Sequence, residues 1–147
     1  MSNASWFGAA VALPFVAVAA NSTADFLQQL DTKLPASEHS IVIENLVGDA
    51  QVIPSAGGDT EVTATIHVAG GNDAVGRATA QGIHFEVDGG HIAVRYPDVR
   101  EICALPGRSK SDTSTDTRYL GRRISIETGT TPGRCLRVDL LVRLPAG

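Results

Sequence analysis

The sequence predicts a mainly β domain built from antiparallel hairpins, with at most one or two short helices. Apolar and polar residues alternate over Glu61–Val68, over Ile83–Asp88 and over Leu136–Leu144, as they do in strands with one buried face. Turn-forming clusters such as Asp88-Gly89-Gly90 separate these runs. The chain has 147 residues, of which 43% are hydrophobic, and this is enough for the core of a single domain.

The charge balance limits the classes of partner. The formal net charge is −4, so the chain lacks the basic surface that is typical of nucleic-acid-binding proteins. Charged residues make up 19% of the chain, and this share together with the apolar content argues against a disordered protein.

The first twenty residues carry no charged side chain, and they predict a secretory signal peptide at 1–20. The apolar run Trp6–Ala19 ends in small residues that fit an A-x-A cleavage site, and polar residues follow it. This run is shorter than the 20 or so apolar residues of a membrane span. The alternative is a buried N-terminal helix. We expect an exported protein, in the periplasm, at the cell surface or outside the cell, with a single β-rich domain at 21–147.

Cys103 and Cys135 predict a structural disulfide, because two cysteines in an exported protein usually pair. The bond would close a loop of roughly 30 residues, for which the chain-entropy model gives a stabilisation of roughly 3–4 kcal/mol. The alternative is two free, buried thiols. Neither cysteine belongs to a C-x-x-C motif, so a catalytic or metal-binding role is not indicated.

Two segments in the first half of the domain require interpretation. The four-residue spacing of apolar residues in Phe26–Leu34 fits a helix as well as one face of a strand. Ile41–Glu44 and Ala50–Ile53 predict two strands of a hairpin that turns at Gly48-Asp49, and a turn cluster covers Pro54–Asp59.

The second half begins with the best candidate for a helix. Ala74–Gln81 has Asn72 or Asp73 as a possible N-cap and Gly82 as its stop. A hairpin centred on Gly89-Gly90 follows, and Ile124–Glu127 predicts a further strand.

A polar loop is predicted at 104–123. Within it, Ser109–Thr117 contains no apolar residue, which is typical of a solvated insertion. The Asp112 and Asp116 carboxylates lack the ligand spacing and the bidentate glutamate of a calcium loop.

One group of residues is a candidate metal site. His84, Glu86 and His91 share the polar faces of a predicted hairpin, and two imidazoles with a carboxylate are ligands that zinc accepts. Polar side chains on a solvated strand face are the more common explanation. No G-x-S-x-G motif is present, and paired carboxylates such as Glu86 and Asp88 share one strand face rather than opposite sides of a cleft. We therefore predict no catalytic residue, no metal and no cofactor.

Four segments together resemble the DUF4097 adhesin family of exported bacterial proteins, over roughly residues 25–147. These segments are Ile41–Val52, Val62–Ile66, Ile92–Pro97 and Val138–Gly147. Their motifs are loose alternations rather than fixed catalytic residues. Such domains begin with a strand before the Ile41 segment, which favours a strand at Phe26–Leu34.

The resemblance implies that the chain is the N-terminal part of a β-solenoid or of a sandwich-like domain, which would continue beyond Gly147. The last strand would then be an exposed edge.

The resemblance also implies a non-catalytic adhesin-type scaffold that binds a protein or glycan ligand at the cell surface. One alternative is an envelope-stress regulatory module that binds a partner. A second alternative is a carbohydrate-active solenoid enzyme with its site in missing C-terminal sequence.

Overall fold

A computed structural model describes residues 25–38, 40–70, 74–97, 100–106 and 115–145. This part of the chain contains ten strands and one helix, and the domain is mainly β as predicted. The elements are β1 Phe26–Leu34, β2 Val42–Glu44, β3 Ala50–Ser55, β4 Thr60–Val68, α1 Ala74–Gln81, β5 His84–Asp88, β6 His91–Arg95, β7 Glu101–Ala104, β8 Thr115–Tyr119, β9 Arg122–Thr128 and β10 Leu136–Pro145. The predicted signal peptide lies outside the described residues.

Seven strands form a large mixed sheet in the order β1-β4-β10-β7-β9-β8, with β3 also paired to β10. The pairs β1/β4, β4/β10 and β8/β9 are antiparallel, whereas β3 and β7 run parallel to β10 and β7 runs parallel to β9. The prediction of antiparallel hairpins is therefore only partly right, because half of this sheet is built from non-local parallel pairs.

A second sheet has three strands in the order β2-β6-β5. The predicted hairpin of β5 and β6 is confirmed, with Gly89 in the left-handed region at φ 54°. Strand β2 joins this hairpin in parallel with β6.

The two sheets share one hydrophobic core. Alternate residues of β4 and β10 are buried, as the sequence pattern predicts, and Ile92 and Val94 of β6 join the same cluster. Full burial of an aliphatic side chain contributes about 1.5–3 kcal/mol. The described residues support the mainly β class and do not confirm the solenoid.

The local assignments at Phe26–Leu34 and Ala74–Gln81 are confirmed as β1 and α1. Helix α1 ends at Gly82, whose N–H donates to the carbonyl of Ala78 over 3.1 Å. A Cβ at Gly82 would lie 2.5 Å from Cγ of Pro97, so this close approach requires glycine. The candidate N-cap residues Asn72 and Asp73 lie outside the described part of the chain.

The predicted hairpin of Ile41–Glu44 and Ala50–Ile53 is wrong. Strand β2 belongs to the small sheet, whereas β3 pairs with β10 in the large sheet, so the chain crosses between the sheets at Gly48. The segment that crosses is bound to β10, since Val138 N–H donates to the Val47 carbonyl and Leu140 N–H donates to the Asp49 carbonyl. Pro54 and Ser55 continue β3 instead of forming a turn.

The expectation that the last strand is an exposed edge is also wrong. Strand β10 has β4 on one side and β3 with β7 on the other. Strand β3 pairs in parallel with Leu140–Pro145 of β10 and so covers the edge that was predicted to be exposed.

The predicted polar loop at 104–123 is shorter than expected. Residues 115–119 and 122–128 form the β8–β9 hairpin. Within the range 104–123, residues 107–114 lie outside the described part of the chain. Leu120 and Gly121 at its turn have φ values of 49° and 75°, as type I′ turns require. Asp116 lies on β8, where its carboxylate pairs with Arg123, and Asp112 is outside the described residues.

Candidate functional site

The candidate zinc ligands His84, Glu86 and His91 lie on one face of the β5–β6 hairpin. The two-residue turn at Gly89-Gly90 places Asp88 opposite His91, and His84 opposite Arg95. Neither His84 nor Glu86 is therefore directly opposite His91. No group of three potential metal ligands occurs in the part of the chain that the structure describes.

Arg95 instead occupies the middle of this sheet face. Its Nε donates to Oε2 of Glu86 over 2.5 Å, and its Nη1 lies 3.4 Å from Oε2 of Glu44. The hydrogen bond from Arg95 lowers the pKa of the Glu86 carboxyl below its ordinary value. His91 Nε2 is 3.3 Å from the other oxygen of Glu44. Both carboxylates are therefore engaged in ion pairs across the small sheet.

The outer surface of the large sheet forms a second cluster, which we name the polar face. It is built from the outward-pointing residues of β1, β4 and β10, which the strand register sets in rows. The polar face consists of Leu27, Gln29, Asp31, Lys33, Glu61, Thr63, Thr65, His67, Arg137, Asp139, Leu141 and Arg143.

Asp139 is the best-connected carboxylate of the polar face. Its Oδ2 accepts a hydrogen bond from Nε of Arg137 over 2.9 Å and lies 3.3 Å from Nε2 of His67. Its Oδ1 accepts from the backbone N–H of Asp49 over 3.1 Å. These three contacts fix the carboxylate, because hydrogen bonds that involve an ionised group are shorter and stronger than neutral ones.

The other end of the polar face is ordered in a similar way. Nζ of Lys33 donates to Oε1 of Glu61 over 2.7 Å, and the Thr63 hydroxyl donates to Oδ1 of Asp31 over 2.7 Å. The Lys33 ammonium lowers the pKa of the Glu61 carboxyl, and the same contact raises the pKa of Lys33. Both side chains of this ion pair are exposed, so the pair orders the surface and adds little to stability.

Gln29 and Thr65 lie between these two ordered ends. Gln29 faces Thr65 across β1 and β4, and Thr65 faces Asp139 across β4 and β10. Neither the Gln29 amide nor the Thr65 hydroxyl has a side-chain hydrogen bond to any described residue. The centre of the polar face therefore offers free donors and acceptors inside a fixed frame of charges.

Alternation along β4 predicts that His67 lies on a polar strand face, and alternation along β10 predicts the same for Arg137 and Asp139. It does not predict that the two faces are in contact. Alternation assigns each side chain to a face, whereas contact between the faces requires knowing that β4 and β10 are neighbours. The signal for this cluster was present in the sequence, and the strand order was the missing information.

The predicted disulfide residues lie together. Cys103 and Cys135 are bonded in the structure, with their Cα atoms 4.4 Å apart, and Cys135 is fully buried. A Cβ at Gly129 would lie 2.8 Å from the Cys103 sulfur, so glycine allows the backbone to cover the bond. This geometry suits a structural role.

In the part of the chain that the structure covers, no helix is both long and apolar enough to cross a membrane. No protein-family model, curated protein or solved structure matches this chain. The resemblance to the DUF4097 adhesin family therefore stays a prediction.

Proposed function

We propose that this protein is an exported, non-catalytic binding domain whose polar face contacts a protein partner. The observation that carries the proposal is the arrangement at the centre of that face. Gln29 and Thr65 present free hydrogen-bonding groups, and the Asp139 and Glu61 ion pairs on either side hold their surroundings in place. A surface that is ordered before binding loses less conformational entropy on contact with a partner.

Two features favour a protein over a glycan as the partner. The polar face has no aromatic residue, so it lacks the rings on which sugars commonly stack. It carries basic and acidic side chains in neighbouring positions, as at Arg137 and Asp139 or at Lys33 and Glu61. Interspersed charges of both signs support specific recognition of a folded protein surface.

The arrangement of the polar face also favours binding over catalysis. Both oxygens of Asp139 already accept hydrogen bonds, and the His67 ring nitrogen nearest to it faces that same carboxylate. In a hydrolase, such a histidine would also contact a nucleophilic hydroxyl or thiol. Within the described residues, no hydroxyl or thiol hydrogen-bonds to His67.

The test compares two arginine variants for binding to intact cells. Thr65→Arg places a long cation in the centre of the polar face, whereas Gln81→Arg makes the same change on exposed α1, away from it. We expect the labelled wild type and Gln81→Arg to bind saturably to intact cells, and we expect Thr65→Arg to lose this binding. Binding that survives protease treatment of the cells, or equal binding by both variants, would refute the proposal. Circular dichroism checks that both variants are folded.

Export is tested separately by mass spectrometry of the mature protein. A signal peptide at 1–20 predicts a new N-terminus near Ala20 or Asn21. Secreted material that retains Met1 would contradict this part of the proposal without affecting the binding test.

A further inference from the structure

A cleft of about 460 Å³ lies between α1 and β7, apart from the polar face. We name it the α1–β7 cleft. Its volume falls in the range of about 300–1,000 Å³ that is usual for small-molecule sites. No residue of the polar face lines it.

The interior of the α1–β7 cleft is apolar. Tyr96, Ile102 and Leu136 form its floor and are almost fully buried. Val75 and Ala78 of α1 form a wall, and Val75 remains 54% exposed although it lies beside this floor. A ligand with an apolar group would remove the exposed surface of Val75 from water, which favours binding.

Two opposite charges also line the cleft. Glu101 begins β7 and Arg134 precedes β10, and both side chains are exposed. Neither makes an ion pair or a side-chain hydrogen bond with another described residue. An anion and a cation beside one apolar floor are complementary to a ligand that carries an ammonium, a carboxylate and an apolar side chain.

The disulfide holds the backbone segments of these two charged residues close together. Glu101 lies two residues before Cys103, and Arg134 immediately precedes Cys135, so the bond joins the two segments that carry the charges. The Cα atoms of the cysteines are 4.4 Å apart, and Leu136 pairs with Ala104 just beyond them. The geometry of the cleft therefore depends on the bond.

We propose that the α1–β7 cleft binds short zwitterionic peptides with apolar side chains. The peptide ammonium pairs with Glu101, its carboxylate pairs with Arg134, and its apolar side chains lie over the floor and cover Val75. Charge-assisted contacts of this kind hold the two termini, and the floor selects apolar over polar side chains. This site is independent of the partner contact at the polar face, so either proposal can fail without the other.

The experiment titrates the full-length, oxidised protein with the dipeptide Leu-Leu and follows amide shifts by NMR. We expect saturable shifts at residues such as Ala78, Ile102 and Leu136. We expect Glu101→Gln and Arg134→Gln to raise the Kd at least about threefold each, since an ion pair between exposed groups changes affinity only a few-fold. Glu127→Gln and Arg118→Gln remove the same charges outside the cleft and should leave the Kd unchanged.

Two further measurements sharpen the test. N-acetyl-Leu-Leu-amide has the same side chains without terminal charges, and it should bind at least about tenfold more weakly than Leu-Leu. Reduction of the disulfide should weaken binding of Leu-Leu. The proposal is overturned if Leu-Leu gives no saturable shift, if both glutamine variants in the cleft bind like the wild type, or if the capped peptide binds equally well.

Discussion

Gly48 is the residue at which replacement by alanine tests the fold most sharply. It lies where the chain leaves the small sheet and enters the large one, and its φ of 117° is in a region that residues with a side chain rarely adopt. A Cβ at this position would overlap the backbone carbonyl of Val138, the third residue of β10.

The magnitude follows from what the alanine must displace. A positive φ costs a residue with a Cβ about 1–2 kcal/mol. The overlap also disturbs two hydrogen bonds, from Nδ2 of Asn45 to the Val138 carbonyl over 2.8 Å and from Val138 N–H to the Val47 carbonyl over 3.1 Å. Each contributes about 1 kcal/mol. We therefore expect Gly48→Ala to lower the free energy of unfolding by about 3–4 kcal/mol.

The assay is urea denaturation followed by far-ultraviolet circular dichroism, with Gly58→Ala as the matched control. Gly58 has no atom within 4 Å of a built Cβ and no positive φ, so its replacement should change the free energy of unfolding by less than about 1 kcal/mol. If Gly48→Ala is as stable as Gly58→Ala, the crossing between the sheets at Gly48 is wrong.

Three further predictions concern the core, the disulfide and a buried phenol. Ile66→Ala removes a fully buried side chain and should lower the free energy of unfolding by about 2–5 kcal/mol in urea denaturation. Leu27→Ala, at a side chain that is 59% exposed, should lower it by less than about 0.5 kcal/mol. Similar costs for the two variants would contradict the assigned faces. Replacement of Cys103 and Cys135 by serine should lower the free energy of unfolding by roughly 3–4 kcal/mol, and an unchanged value would mean that the bond does not constrain the unfolded chain. Burial raises the pKa of the Tyr96 hydroxyl, so the folded protein keeps this proton at a pH where the unfolded chain loses it. Stability should therefore fall as the pH rises above about 10, and urea denaturation at increasing pH should show a smaller fall for Tyr96→Phe; equal falls would contradict the burial of this group.

The sequence predicts those elements whose pattern is complete within one segment. The alternation in Glu61–Val68 and Leu136–Leu144 identifies β4 and β10 with their buried faces, and the capped pattern at Ala74–Gln81 identifies α1. The partners of β2 and β3 do not follow from such patterns. Val42 of β2 pairs with His91 of β6, and Ala50 of β3 pairs with Leu140 of β10, so both partners lie far later in the chain.

The candidate sites were less predictable because they depend on register and strand order. A turn of two residues at Gly89-Gly90 pairs Asp88 with His91, so neither His84 nor Glu86 lies directly opposite His91. The contact between His67 and Asp139 joins two strands that are far apart in the sequence. The disulfide was predictable because the chain contains only Cys103 and Cys135, so one pairing was possible within it.

Site-specific photo-crosslinking tests directly whether the polar face contacts a protein partner. A photoreactive phenylalanine derivative at Gln29 would lie at the exposed centre of that face, and the same residue at Gln81 on α1 serves as the control. On intact cells, we expect a discrete, protease-sensitive adduct from position 29 and none from position 81. No adduct from position 29, or the same adduct from both positions, would contradict the claim.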